Sequence, residues 1–123
     1  MAPRILIVDD EPNIVISLEY LMKREGFEAT AVADGDAALR ALAGEPADLV
    51  ILDLMLPKVN GFDVCQRIRA DPRWGKARIL MLTAKGRETD VARGMRLGAD
   101  AYVTKPFATR DLVAQVRKLV GAA

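Results

Sequence analysis

Asp9, Asp10, Asp53, Thr83 and Lys105 are the residues whose types and placement offer chemistry. Each stands at the end of a short apolar run. Ile5-Leu6-Ile7-Val8 leads to the paired carboxylates, residues 49–52 to Asp53, residues 79–82 to Thr83, and Tyr102-Val103-Thr104 to Lys105. Singly, each has a plain explanation. Asp9 or Asp10 caps a helix, Asp53 opens a turn before Pro57, Thr83 caps a loop, and Lys105 is a surface lysine. Their coincidence at the ends of separate apolar runs is what the plain explanations handle poorly. Carboxylates brought to one place repel, by about 4 kcal/mol per pair at ~4 Å and an effective dielectric of ~20. The remedies are a raised pKa, a basic partner or a cation. A cation held by oxygen alone points to Mg²⁺ or Ca²⁺. The spaced acidic loop with a central glycine and a late glutamate that would suit Ca²⁺ is absent. Mg²⁺, which keeps waters and meets phosphoryl groups, fits better. Lys105 would add a second positive charge and Thr83 a hydroxyl donor.

Composition removes the competing chemistries. The chain has 123 residues, no His and one Cys. Imidazole bases, Ser/His and Cys/His catalysis and the usual zinc sites are therefore out. Cys65 cannot form an internal disulfide and suits a reducing cytoplasm. The apolar runs are too short to span a bilayer, and the N-terminus lacks a signal-peptide stretch. One domain over residues 1–123 is expected. The net charge of +1 hides an asymmetry: residues 1–61 carry 5 basic and 11 acidic side chains, residues 62–123 carry 13 and 6. The acidic half could hold a cation and the basic half could offer a contact face, although solvated surface accounts for most of these charges.

The elements that position the five residues alternate. Strands are expected at 4–8, 27–32, 48–52, 78–82 and 101–103, and helices from 12 to Gly26, then at 35–43, 61–70, 88–97 and 109–120. Pro12 suits a first helical turn, and Gly26, Gly44 and Gly98 suit helix ends. This alternation means βαβ units, a parallel sheet and helices on both faces. The continuously apolar first, third and fourth strands belong in the middle. The fourth helix has a thin apolar stripe of Val91, Met95 and Leu97 and is expected to be loosely held. Ligands of such a sheet bind beyond the carboxyl ends of its strands, where the five residues fall.

Ile5-Leu6-Ile7-Val8-Asp9-Asp10-Glu11, Leu52-Asp53-Leu54-Met55-Leu56-Pro57, Met81-Leu82-Thr83-Ala84 and Tyr102-Val103-Thr104-Lys105-Pro106-Phe107 resemble the receiver domains of bacterial two-component response regulators. Gly61-Phe62-Asp63 and Gly98-Ala99-Asp100 match too, so the resemblance covers essentially the whole chain. It implies an α/β, flavodoxin-like fold, doubly wound, with five parallel strands in the order 2-1-3-4-5 and five helices. It implies that Asp53 accepts a phosphoryl group. Asp10, Asp53 and the Met55 backbone carbonyl would bind Mg²⁺ directly, and Asp9 through water. Lys105 would pair with the phosphoryl oxygens, Thr83 would hydrogen-bond them, and Tyr102 would turn inward. Met55 and Lys85 would tune the lifetime of the phosphoryl group, and the Lys105–Pro106 bond would be cis.

The donor implied is a sensor histidine kinase or phosphotransfer protein, with an unidentified downstream effector. The chain would be a cytoplasmic switch, no enzyme beyond its own phosphorylation and dephosphorylation, and would touch no membrane. Its output surface would be the fourth helix, fifth strand and fifth helix. In the transcription-factor subfamily that surface forms phosphorylation-dependent homodimers through charged pairs. Val91, Ala101 and Gln115 stand at positions usually charged, while Asp111 and Arg117 remain, so the usual ionic dimer is doubtful here.

Other readings carry less. A flavin-mononucleotide binder would place Asp9-Asp10-Glu11 against a phosphate. A Mg²⁺-dependent phosphatase of the haloacid-dehalogenase type wants an Asp where Met55 stands. A nucleic-acid binder could use Arg67, Arg69, Arg73, Lys76 and Arg78 around Trp74, but Asp63 and Asp71 interrupt them, so direct nucleic-acid binding is not expected. A receiver piece of a larger DNA-binding regulator remains an alternative.

Overall fold

The computed structural model describes residues 2–56, 60–84 and 87–121. The chain alternates β1 (Arg4–Val8), α1 (Pro12–Arg24), β2 (Glu28–Val32), α2 (Gly35–Gly44), β3 (Leu49–Asp53), α3 (Gly61–Ala70), β4 (Arg78–Ala84), α4 (Glu88–Arg96), β5 (Ala101–Lys105) and α5 (Thr109–Val120). The strands form one parallel sheet ordered β2-β1-β3-β4-β5. This is the expected doubly wound, flavodoxin-like architecture.

Alternation along the strands builds two cores. Leu6, Val8, Val50, Leu52, Ile79 and Met81 face α2 and α3, packing with Leu42, Val64 and Ile68. Ile5, Ile7, Leu49, Ile51, Leu80 and Leu82 face α1 and α5, packing with Leu18, Met22, Leu112 and Val116. Every residue of β3 is buried, as a strand covered on both faces must be. The edge strands β2 and β5 are only partly covered.

Three boundaries bear on the site. β3 runs one residue further than expected and makes Asp53 its last residue. β4 extends to Ala84 and β5 to Lys105, because Thr83 pairs with Thr104 and Ala84 with Lys105. Thr83 and Lys105 are thus held by the sheet rather than by loops. The short 3₁₀ turn Pro72–Trp74 was not foreseen; Asp71 caps it by accepting the Arg73 N–H at 2.9 Å. Trp74, around which the basic residues cluster in sequence, ends this turn. The ring is buried in the α2–α3 core, with the Arg73 guanidinium 4.7 Å from its centroid.

The thin stripe of α4 has a specific consequence. Gly94 is its one buried residue, and a Cβ there would sit 2.1 Å from Met81 Sδ. The helix lies flush on β4 because it has no side chain at that point. Arg93 adds a cation–π contact to Phe62 of α3, 4.3 Å from the ring centroid.

Candidate functional site

The sheet brings Asp9, Asp10, Asp53, Thr83 and Lys105 to one rim. Asp9 and Asp10 follow β1, Asp53 ends β3, Thr83 lies near the end of the adjacent β4, and Lys105 ends β5. Carboxylate oxygens of Asp9, Asp10 and Asp53 lie within 4.8 Å of one another. Asp9, Asp53 and Thr83 are buried, whereas Asp10 is exposed.

Local backbone geometry aims these groups. Asp9 Oδ1 accepts the Glu11 N–H at 2.9 Å, so this carboxylate does steady the start of α1. Asp53 Oδ1 accepts the Met55 N–H at 3.0 Å, and the Leu54 N–H donates to the Leu82 carbonyl at 3.1 Å. Gly61 lets α3 press against this segment: a Cβ there would lie 2.6 Å from both the Asp53 carbonyl oxygen and Leu54 Cα. The sequence pointed to Gly61 only as part of a matching motif; the close approach is its physical reason.

Among the described residues, charge at the rim is unbalanced. Lys105 Nζ lies 2.9 Å from Asp9 Oδ2, 2.9 Å from Glu11 Oε1 and 3.3 Å from Asp53 Oδ2. One ammonium therefore serves several carboxylates. Burial works against the charged lysine, but Glu11, Asp9 and Asp53 outweigh it and hold its pKa above the ordinary value. Burial pushes the Asp9 carboxyl up, an effect that the Glu11 N–H hydrogen bond and the nearby Lys105 ammonium only partly offset. Asp9 Oδ2 has the Lys105 ion pair but no hydrogen bond of good geometry, which makes it the one such buried side-chain oxygen among the described residues. Clustered hard oxygens, a surplus of negative charge and an unsatisfied buried carboxylate oxygen fit a small divalent cation.

The remaining expected residues are placed as follows. Among the described residues, Thr83 Oγ1 has only a 3.5 Å contact to the Ala84 carbonyl, so its hydroxyl is weakly held. Tyr102 sits opposite Met81 in the β4–β5 ladder and is 47% exposed. The Met55 side chain is exposed beside Asp53. Lys85 lies outside the described residues. The Lys105–Pro106 peptide is cis, as the resemblance implies. Glu11 is the rim residue whose part sequence reasoning did not assign, though its place directly after the paired aspartates was the available signal.

Comparison with known proteins decides the family. The family model of the response regulator receiver domain matches residues 5–117. The chain is a receiver domain of the response-regulator family. It is 46% identical to the sensory transduction protein RegX3 of Mycobacterium tuberculosis over 94% of this chain and 50% of that protein. It is 43% identical to the transcriptional regulatory protein PhoP of Bacillus subtilis, over 98% of this chain and 49% of that one. The receiver domain thus spans about half the length of these curated relatives. Among solved structures it matches a response regulator from Chloroflexus aurantiacus with a TM-score of 0.95 and 33% identity, covering 98% and 99% of the two chains. It also matches the receiver domain of the sensor histidine kinase PA1611 from Pseudomonas aeruginosa, with a TM-score of 0.90 and 28% identity over 99% and 100% of the chains. That structure holds a magnesium ion in its active-site cleft.

Proposed function

We propose that this receiver domain is a two-component switch that takes a phosphoryl group onto Asp53 with Mg²⁺ bound beside it. One observation carries this reading: a buried strand-end carboxylate faces two more carboxylates and a shared lysine ammonium at the rim where such sheets bind ligands. An Asp53 carboxylate oxygen attacks phosphorus. The bond from phosphorus to the donor breaks, its electron pair leaves with the donor, and an acyl phosphate remains. Asp10, Asp53 and the Met55 carbonyl would hold Mg²⁺, with Asp9 reaching it through water. When bound, Mg²⁺ neutralises phosphoryl charge during transfer. Lys105 orients and neutralises the phosphoryl oxygens from the other side. The physiological donor would be a phosphohistidine on a sensor histidine kinase or phosphotransfer protein.

Phosphorylation adds about −1.5 to −2 charges at this rim. The weakly held Thr83 hydroxyl gains an acceptor only in that state, so the phosphorylated arrangement is favoured by a differential contact. Tyr102 would turn inward as Thr83 moves. A swing from 1:99 to 99:1 takes about 5.5 kcal/mol, within reach of a few charge-assisted hydrogen bonds. The surface changed would be α4, β5 and α5, read by a downstream effector or a second copy of the chain. Val91, Ala101 and Gln115 supply no charges to an ionic dimer, and Arg117 pairs with Glu25 at 2.8 Å within the chain.

Met55 and Lys85 are proposed to restrain attacking water, so Met55→Asn with Lys85→Glu should shorten the phosphoryl lifetime. No described helix is long and apolar enough to cross a membrane, and we assign the switch to the cytoplasm. The relatives' greater length supports a second setting for the same chemistry: the receiver portion of a DNA-binding regulator, in which another domain contacts the DNA. The test is an intact mass after incubation with acetyl phosphate. A gain of one phosphoryl group that needs Mg²⁺ and vanishes in Asp53→Asn supports the reading. No gain where a known receiver is labelled overturns it.

A further inference from the structure

Lys105 divides its hydrogen bonds unequally. The shorter, 2.9 Å, goes to Glu11 Oε1 and the longer, 3.3 Å, to Asp53 Oδ2. Glu11 lies outside the carboxylate cluster formed by Asp9, Asp10 and Asp53. Its side chain is 59% exposed, in contrast to the buried Asp9 and Asp53. Its backbone is pinned by the N–H bond to Asp9 Oδ1, so the side chain is free to swing while the main chain stays.

We propose that Glu11 is a positioning residue for phosphoryl transfer: it holds the Lys105 ammonium in the resting site and must release it before Lys105 can serve phosphoryl oxygens on Asp53. The inference rests on the reading of Asp53 as the acceptor. Of the carboxylates around Lys105, Glu11 is the one whose release costs least, because its oxygens pass directly into water. Asp9 would be left charged and buried, and Asp53 is the reacting group. Glu11 therefore occupies, in the resting state, hydrogen-bonding capacity of Lys105 that the phosphoryl group needs later. It also adds one more negative charge at the mouth through which an anionic donor enters. Both effects slow phosphorylation, but only the first runs through Lys105.

The experiment measures the rate of phosphorylation by acetyl phosphate, read by intact mass, for wild type, Glu11→Gln, Lys105→Gln and the double variant. Mg²⁺ is held at saturation for each, set by thermal-shift titration, and each melt also verifies folding. Glu11→Gln is expected to raise the rate about two- to fivefold, the size of an exposed ion pair. Lys105→Gln lowers it, and in that background the gain from Glu11→Gln shrinks to the part that charge repulsion alone supplies, the non-additivity of residues acting on one another. A Glu11→Gln rate equal to or below wild type overturns the inference. So does a gain that is undiminished without Lys105, which would show charge repulsion alone. An unlabelled wild type would bring down the Asp53 reading and this inference together; a labelled wild type with no Glu11 effect removes only the latter.

Discussion

Arg69 and Lys105 are both partly buried cations beside acidic residues, yet their surroundings differ in kind. The Arg69 guanidinium donates to the Gly98 carbonyl at 2.7 Å, the Ala77 carbonyl at 2.6 Å and Asp100 Oδ2 at 2.6 Å. Asp100 Oδ2 also accepts the Ile79 N–H at 2.8 Å, and Arg78 lies 3.6 Å from Oδ1. One acid, basic partners and fixed backbone groups balance there, and the result ties α3 to the start of β4 and to the α4–β5 connection. At the other rim, among the described residues, a single ammonium faces Asp9, Glu11 and Asp53, with Asp10 close by, and a buried oxygen of Asp9 is left without a hydrogen bond. Satisfied charge holds the fold together; surplus charge of one sign marks where a ligand of the other sign belongs.

Substitution should separate the two clusters. Arg69→Met removes three donors from fixed acceptors and should cost about 2–4 kcal/mol in urea denaturation, the range for breaking a partly buried ion pair. A loss under ~0.5 kcal/mol would mean that the Arg69 cluster is no better satisfied than the rim. Gly61→Ala drives a Cβ into the Asp53 and Leu54 backbone and should cost about 1–3 kcal/mol by overpacking. Phosphorylation by acetyl phosphate should fall with it, because the collision is with the Asp53 peptide itself.

Asp10→Asn should act in the opposite sense. Relief of like-charge repulsion should raise the stability of the metal-free protein by up to about 1 kcal/mol. The same change should abolish the rise in melting temperature that Mg²⁺ gives the wild type. If Asp10→Asn lowers metal-free stability, the rim is not under repulsion and the contrast with Arg69 fails.

The smallest effect concerns a half-buried acid. The Arg117 hydrogen bond holds the Glu25 carboxyl below its usual range. The folded pKa is depressed, so this contribution is present above the ordinary glutamate pKa and is lost as pH falls through the folded value. Glu25→Gln should therefore lower the melting temperature at neutral pH and match wild type in strong acid. A difference that persists there would assign the effect to something other than charge.

Much of this was legible in the residues. Period-two burial on both faces made the central strands continuous apolar runs, which is why β1, β3 and β4 stood out and their terminal residues could be placed on one rim. The weaker edge strand β5 was read two residues short, because the end at Lys105 depends on pairing with Ala84 across the sheet rather than on its own composition. Arg69 and Arg78 read as members of a basic surface stretch. Their commitment to Asp100, separated from Arg69 by thirty-one positions, is a tertiary fact that local pattern does not carry. The hold of Glu11 on Lys105 is equally long-range.

The most direct test of the central claim locates the phosphoryl group itself. The protein is treated with acetyl phosphate and Mg²⁺, then with borohydride, which reduces an acyl phosphate on aspartate to homoserine, and its peptides are weighed. The account predicts homoserine at position 53 and at no other acidic residue, with none formed when Mg²⁺ is omitted. Reduction at Asp9 or Asp10, or no reduction at any residue while a known receiver is converted, would contradict it.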